Sequence, residues 1–287
     1  MILTLTDLDL FYLKKSKYKV HYFYVFHSIV STHRIYNESA FDAYDTIFCV
    51  GPYHINEIRT REKIFKLKSK NLIEHGYGKL DYLIEALSKK KDYDENLNKN
   101  INVLIAPSWG KESITNYKLF EIIDLLISKN YQITLRLHTM TLWKNPKIRF
   151  DILEKYSKYK NFNFDKNLNS INSFLDADIM ISEWSGAAIE FSFFKKSPII
   201  FIDTPQKTKN KNWNKLNLPC FEEIIRDKIG YVLKINEIKK LDDLIIKITN
   251  NQNKFNKNIS NLINMNIFNV GRSNKVAANE IIKFIEK

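Results

Sequence analysis

Continuous apolar runs separated by polar stretches of helical spacing organise this chain. HYFYVFHS (21–28) is aromatic-rich and predicts a buried strand ending at His27. TIFCV (46–50) predicts a second strand, closed by the break at Gly51-Pro52. A polar helical stretch follows over 53–65. NLIEHGYG (71–78) then reads as a strand entering a glycine loop, with a helix over 79–89. SKKKDYDENLNKN (88–100) is charged, has no apolar period and reads as a linker.

After it the pattern restarts. INVLIAP (101–107) predicts a strand and SWGKES a loop. Leu119, Ile122, Ile123, Leu126 and Ile127 recur at helical spacing within 115–128. YQITLRL (131–137), FNF (162–164), DIMIS (178–182) and PIIFID (198–203) predict strands; 148–159 and 186–194 predict helices. From about residue 235 the tail is mostly helical, closing on an amphipathic helix near 273–286. Strands alternating with helices at this spacing predict parallel sheets with crossover helices. Runs that do not alternate suit strands buried on both faces. The expected class is α/β, as two units across a polar linker.

Composition narrows the function. Hydrophobic residues are 44% of the 287, enough for packed cores and against global disorder. The net charge of +13 suits phosphate-bearing partners, although lysines dispersed among Asn and Ile also fit an ordinary solvated surface. No arginine-rich run interleaves with aromatics, which argues against nucleic-acid recognition. Cys49 and Cys220 are far apart, in no metal or redox spacing, and read as thiols of a reducing compartment. The opening MILTLTDLDLFYLKK lacks a signal-peptide pattern, and no apolar window approaches the roughly 18 residues that span a bilayer. A cytoplasmic protein, in solution or peripheral on the inner face of the membrane, is expected.

Candidate chemistry lies at strand ends. Ser182-Glu183-Trp184-Ser185-Gly186-Ala187 closes one predicted strand and opens a helix. A helix N-terminus at the carboxyl edge of a parallel sheet binds phosphate through its N–H groups and positive dipole end. Ser185 reads equally as a plain N-cap. Arg136-Leu137-His138 ends another strand and suits a pyrophosphate, with His138 as a donor to phosphate oxygen. His27 ends a third and is placed to accept a proton; His33 is its rival, and Asp42 or Asp45 could orient either. Gly76, in Glu74-His75-Gly76-Tyr77-Gly78, marks a close backbone approach. Ser108, in Pro107-Ser108-Trp109-Gly110-Lys111, lies in a loop like a phosphate loop but without Walker A spacing, and Trp109 suits base stacking or a core. HExxH, GxSxG, GxGxxG and paired cysteine ligands are absent.

In chain order, Phe26-His27-Ser28, Val50-Gly51-Pro52-Tyr53 with Glu57-Ile58, and Glu74 to Asp81 resemble the first half of the CDP-glycerol glycerophosphotransferase family. Arg136-Leu137-His138, Asp176-Ala177-Asp178, Ser182 to Gly186 and Pro198 to Phe201 resemble its second half. The resemblance implies a GT-B fold, two Rossmann-like domains facing a cleft. It implies an N-terminal acceptor-side domain over 1–90, short for that fold, a C-terminal donor-binding domain over 101–270, and a helix at 271–287 packing back on the first. Its implied reaction is transfer of glycerol phosphate from CDP-glycerol to a hydroxyl of a polymer or lipid-linked glycan, without metal or cofactor. His27 takes the family's base position, His138 contacts donor phosphates, and Ser185 is the phosphate-binding serine. Arg136, Ser182, Glu183, Gly186, Ala187, Gly76 and Ser108 complete the expected donor site. The chain departs from the family at Ser28, Thr139, Gly78 and Glu183 to Gly186. A nucleotide-sugar glycosyltransferase and a non-catalytic nucleotide-binding relative are the alternatives.

Overall fold

The structure, a computed structural model, describes residues 1–91, 100–167 and 171–286. Residues 92–99, most of the expected linker, lie outside them. Two compact units are present. The first comprises Met1–Ile84, Thr208–Ile224 and Asn261–Lys287; the second comprises Glu85–Lys207 and Ile225–Ser260. Residues 208–224, placed by the sequence reading in the C-terminal domain, belong to the first unit.

Unit 1 is built on a parallel sheet of β1 (Ile2–Leu3), β2 (Phe23–Val25), β3 (Thr46–Cys49) and β4 (Asn71–Glu74), in that order. Helix α1 (Pro52–Phe65) follows β3, and α2 (Gly78–Lys91) follows β4. Pro52 opens α1, where a missing N–H costs nothing. Every residue of β3 is buried, and Tyr24 meets Phe26, Phe41 and Tyr44 with ring centroids about 5 Å apart. The predicted strand 21–28 is shorter than expected: ladder pairing stops at Val25, two residues before His27.

Unit 2 carries six parallel strands: β5 (Asn102–Ile105), β6 (Gln132–Leu135), β7 (Phe162–Phe164), β8 (Ile179–Ser182), β9 (Ile199–Asp203) and β10 (Gly230–Lys234). Between them run α3 (Leu119–Ser128), α4 (Thr139–Lys144), α5 (Lys147–Tyr156), α6 (Asn172–Asp176), α7 (Gly186–Lys195) and α8 (Phe221–Ile229), whose residues up to Ile224 belong to unit 1. The tail supplies α9 (Leu241–Thr249), α10 (Gln252–Asn266) and α11 (Ser273–Ile285). Leu119, Ile122, Ile123 and Leu126 of α3 are buried, as their spacing predicts. They join Val103, Ile133 and Ile179 in one core, each fully buried side chain contributing about 2 kcal/mol.

The strand order is β10-β9-β8-β5-β6-β7. From β5 the chain moves outward through β6 and β7, then returns to the other side of β5 for β8, β9 and β10. Connections therefore reverse direction between β5 and β8. In an open parallel sheet, ligands bind beyond the carboxyl ends of the strands at such a reversal.

α11 returns to the first unit. Phe284 meets His21 and Phe23 with ring centroids 4.2 and 5.1 Å away. Among the described residues no helix is long and apolar enough to cross a membrane.

Candidate active site

The loop after β5 and the segment after β8 meet at the reversal point of unit 2. Glu183 is buried, and one of its carboxylate oxygens accepts both the N–H and the hydroxyl of Ser108, at 2.8 and 2.7 Å. Burial pushes the Glu183 carboxyl up to about 7, the Ser108 hydrogen bonds opposing that rise only in part. The neighbouring Ser182 is fully buried and donates its hydroxyl to the Ala106 carbonyl at 2.7 Å. Expected donor ligands Ser182 and Glu183 thus have their polar groups turned into the loop after β5, which they hold in place. Ser108, Ser185, Gly186 and Ala187 are half-buried and remain accessible.

Ser185 is the N-cap of α7. Its extended backbone lets the hydroxyl accept the Ala187 N–H at 3.2 Å. Gly186 and Ala187 follow without bulk, so the positive end of the α7 dipole is approachable. Trp184, between them and Glu183, donates its indole N–H to the Thr204 carbonyl at 2.8 Å. The Arg226 guanidinium lies 4.0 Å from the centre of that indole and pairs with Asp203 at 3.0 Å.

The two strand-end cations differ in availability. Arg136 donates to Asp165 and to Ser173, each at 2.9 Å, which fixes its guanidinium beside α6. His138 is the N-cap of α4, and its Nδ1 accepts the Met140 N–H at 3.0 Å. Burial first, then the Lys207 ammonium, holds its pKa down to about 4. Near neutral pH the ring is uncharged, and with Nδ1 accepting, the proton sits on Nε2 as a donor. Trp109 is 6.1 Å away, centroid to centroid. Lys207 places its ammonium 3.2 Å from the Trp109 ring centre and donates to the Trp109 carbonyl; Lys144 stands 4.8 Å from the same ring. Sequence reasoning missed Lys207, Lys144 and Arg226, because lysines and arginines are too frequent here for position alone to mark them.

In unit 1, His27 is exposed at the carboxyl edge of the sheet. Its Nδ1 lies 3.1 Å from the Thr4 carbonyl. A carbonyl only accepts, so Nδ1 carries the proton and Nε2 keeps a lone pair. The Tyr77 hydroxyl donates to the His27 carbonyl at 2.8 Å and fixes the backbone there. Gly76 adopts φ +99°, and a Cβ there would lie 2.2 Å from the Phe268 carbonyl oxygen. Its missing side chain admits the chain's own C-terminal segment.

His33, the rival base, is buried. Its Nε2 donates to the Leu218 carbonyl at 3.1 Å, and Nδ1 faces Glu57 at 3.5 Å. Burial lowers its pKa, but Glu57 and the Leu218 carbonyl outweigh that and raise it overall. Glu57 also accepts the Thr32 N–H and hydroxyl at 2.6 and 2.7 Å. Asp42 and Asp45 orient neither histidine: Asp42 pairs with Arg61 at 2.7 Å, and Asp45 accepts the Tyr22 N–H at 2.9 Å.

The model of the family described as "CDP-Glycerol:Poly(glycerophosphate) glycerophosphotransferase" matches residues 19–260. Comparison with curated proteins gives no match. Among solved structures, the wall teichoic acid polymerase TagF is 19% identical, with a TM-score of 0.60 over 96% of this chain and 70% of its own. The UDP-GlcNAc 2-epimerase from Neisseria meningitidis bound to UDP-GlcNAc is 15% identical, with a TM-score of 0.59 over 92% of this chain and 70% of its own. A putative UDP-N-acetylglucosamine 2-epimerase from Listeria monocytogenes is 14% identical, with a TM-score of 0.55 over 93% and 69%. These likenesses are of fold, and the fold is GT-B.

Proposed function

Since this chain belongs to the CDP-glycerol:poly(glycerophosphate) glycerophosphotransferase family, transferases that move glycerol phosphate from CDP-glycerol to a polymer acceptor, we propose how its own residues divide that work. The donor pyrophosphate lies against the start of α7, where Ser185, Gly186 and Ala187 offer N–H groups and a hydroxyl. His138 donates from Nε2 to a phosphate oxygen. Lys207 and Lys144 supply positive charge beside Trp109. His27 takes the proton from the attacking acceptor hydroxyl on its Nε2. The new bond joins that oxygen to the phosphorus bearing glycerol, and the bond to CMP breaks, so CMP leaves with its own phosphate. Stabilisation comes from positioning and preorganised charge.

The reading rests on one observation above the others. The reversal point between β5 and β8 coincides with a capped but approachable helix start, beside a histidine held neutral with its donor nitrogen unused by its cap. Of the expected donor set, Ser182, Glu183 and Arg136 act behind the site by holding its loops, and Gly76 by admitting Phe268. The acceptor is a lipid-linked or polymeric glycerol phosphate chain at an anionic membrane surface.

A donor panel tests the reading. Purified protein with CDP-glycerol and a glycerol phosphate oligomer releases CMP. His27→Ala lowers that release about 10²- to 10⁴-fold while leaving donor affinity unchanged. Turnover with a nucleotide sugar and none with CDP-glycerol would overturn it.

A further inference from the structure

The connection from β1 to β2 is an exposed apolar loop with a basic collar. Leu10, Phe11 and Tyr12 stand at its tip, 41%, 64% and 88% exposed, and Tyr18 is 71% exposed. Lys14, Lys17 and Lys19 are exposed alongside them, with Lys15 half-buried.

The loop is a fixed display. The Asp9 N–H donates to the Leu13 carbonyl at 2.7 Å, and the Asp9 carboxylate accepts the Lys15 N–H at 3.1 Å. The Asp7 N–H donates to the Ala40 carbonyl at 2.8 Å, while its carboxylate accepts the Asn37 amide at 2.6 Å. Asp7 and Asp9 hold positive φ of 66° and 67°, which turns the chain twice within three residues. Leu8 between them is buried. Asp7 is buried, and Asp9, though exposed, has a carboxylate oxygen engaged by the Lys15 N–H, so the tip the loop presents is apolar, with lysines outnumbering the one exposed carboxylate.

Contiguous apolar exposure on a soluble domain marks an interaction surface. Leucine and phenylalanine suit the acyl boundary, tyrosines suit the headgroup level, and lysines suit anionic headgroups. A second copy of the chain is a poor occupant, because pairing would bring like-charged collars together on a chain of net charge +13.

The geometry points to the loop Leu5–Lys19 as a membrane-docking element that inserts Leu10, Phe11 and Tyr12 at an anionic lipid surface. It deepens the membrane placement proposed above and rests on that placement, but not on the identity of the donor. The residue just before the loop also orients the proposed base. Thr4 supplies the carbonyl that faces His27 Nδ1, and the Leu5 carbonyl accepts the Tyr44 hydroxyl. The base is therefore tied to the root of the element that docks.

Flotation of the full chain with phosphatidylcholine vesicles, with and without phosphatidylglycerol, tests the assignment. Wild type floats with the anionic vesicles and is released by salt. Phe11→Ser with Tyr12→Ser lowers partition roughly tenfold. Lys17→Gln and Lys19→Gln together, which leave the Lys14 bonds to the Asp9 and Leu10 carbonyls intact, lower it roughly thirtyfold at low salt. Thermal midpoints and CMP release on a soluble oligomer stay at wild-type level, so docking is read separately from turnover. Cys49 and Cys220 are buried, so a Tyr12→Cys protein takes an environment-sensitive dye at the tip, and its emission shifts blue on anionic vesicles. Wild type that fails to float, loop variants that float unchanged, or a patch that drives self-association instead of lipid binding would each overturn the assignment.

Discussion

Glu183 holds Ser108 twice through one carboxylate oxygen, with the whole side chain buried. That pairing joins the two strands on either side of the reversal point. It also places a reluctant acid under the proposed phosphate site.

The carboxyl of Glu183 is raised from 4.5 to about 7 in the folded chain by burial. Between these values the folded state keeps a proton that the unfolded chain has released. Stability therefore falls as pH rises from about 4.5 to 7, and the loss levels off above that at about 3 kcal/mol. Glu183→Gln keeps an acceptor for Ser108 and removes the titration. Urea unfolding from pH 4.5 to 8 should show the variant's stability overtaking that of wild type as pH rises.

Ser185 has two roles that substitution can separate. Ser185→Ala loses the cap, which costs about 1 kcal/mol, and weakens donor binding. Ser185→Asp keeps a capping oxygen and adds a negative charge where phosphate should lie. Its thermal midpoint should match wild type while the KM for CDP-glycerol rises at least tenfold. Equal KM values would remove Ser185 from the donor site.

His138 titrates near 4 because it is buried and because Lys207 repels its charged form. Donor binding should then be insensitive to this ring from pH 5 to 8. Lys207→Ala should raise the His138 pKa only part of the way to 6.5, since burial is the larger cause. NMR titration of the imidazole reads this directly.

Gly76 and Gly271 both hold positive φ, at 99° and 80°, but differ in what surrounds them. Nothing lies within 4 Å of a Cβ at Gly271, whereas at Gly76 the Phe268 carbonyl blocks it. Gly271→Ala should cost about 1 kcal/mol, from backbone strain alone. Gly76→Ala adds the clash and should cost roughly 3 kcal/mol or more. Denaturant midpoints of the two proteins settle the difference.

Strands buried on both faces were readable because nothing interrupts their apolar runs. β8 is the clearest case, with Ile179 to Ser182 all buried. β10 was missed for the converse reason. It lies at the sheet edge, only Gly230 and Leu233 of its five residues are buried, and Gly230 and Lys234 at its ends resemble a loop. Residues 204–229 carry no element in the sequence reading, yet Phe221–Ile229 is helical, with Phe221, Ile225 and Ile229 buried at helical spacing and Phe221 stacked on Tyr53 at 4.1 Å.

Site residues followed the same division. The Ser185 cap was legible because a small polar residue between strand and helix has few other uses. The burial of His33 was not, since its partner Glu57 lies 24 positions on, inside a helix that reads as polar. The spent state of Arg136 was equally hidden: Asp165 and Ser173 reach it only after two crossovers are folded.

Unit 1 has a consequence for how the chain can be made. Its four strands are complete by residue 74, but Thr208–Ile224 and Asn261–Lys287 also belong to it. Arg34 and Glu223 pair at 2.6 Å, and Asp81 holds the Ser273 N–H at 2.9 Å. During synthesis these strands are translated well before Thr208–Ile224 and Asn261–Lys287, and must wait for both segments before the unit can close. Cutting the gene in the charged segment after α2 would thus yield a first half lacking two of its own pieces.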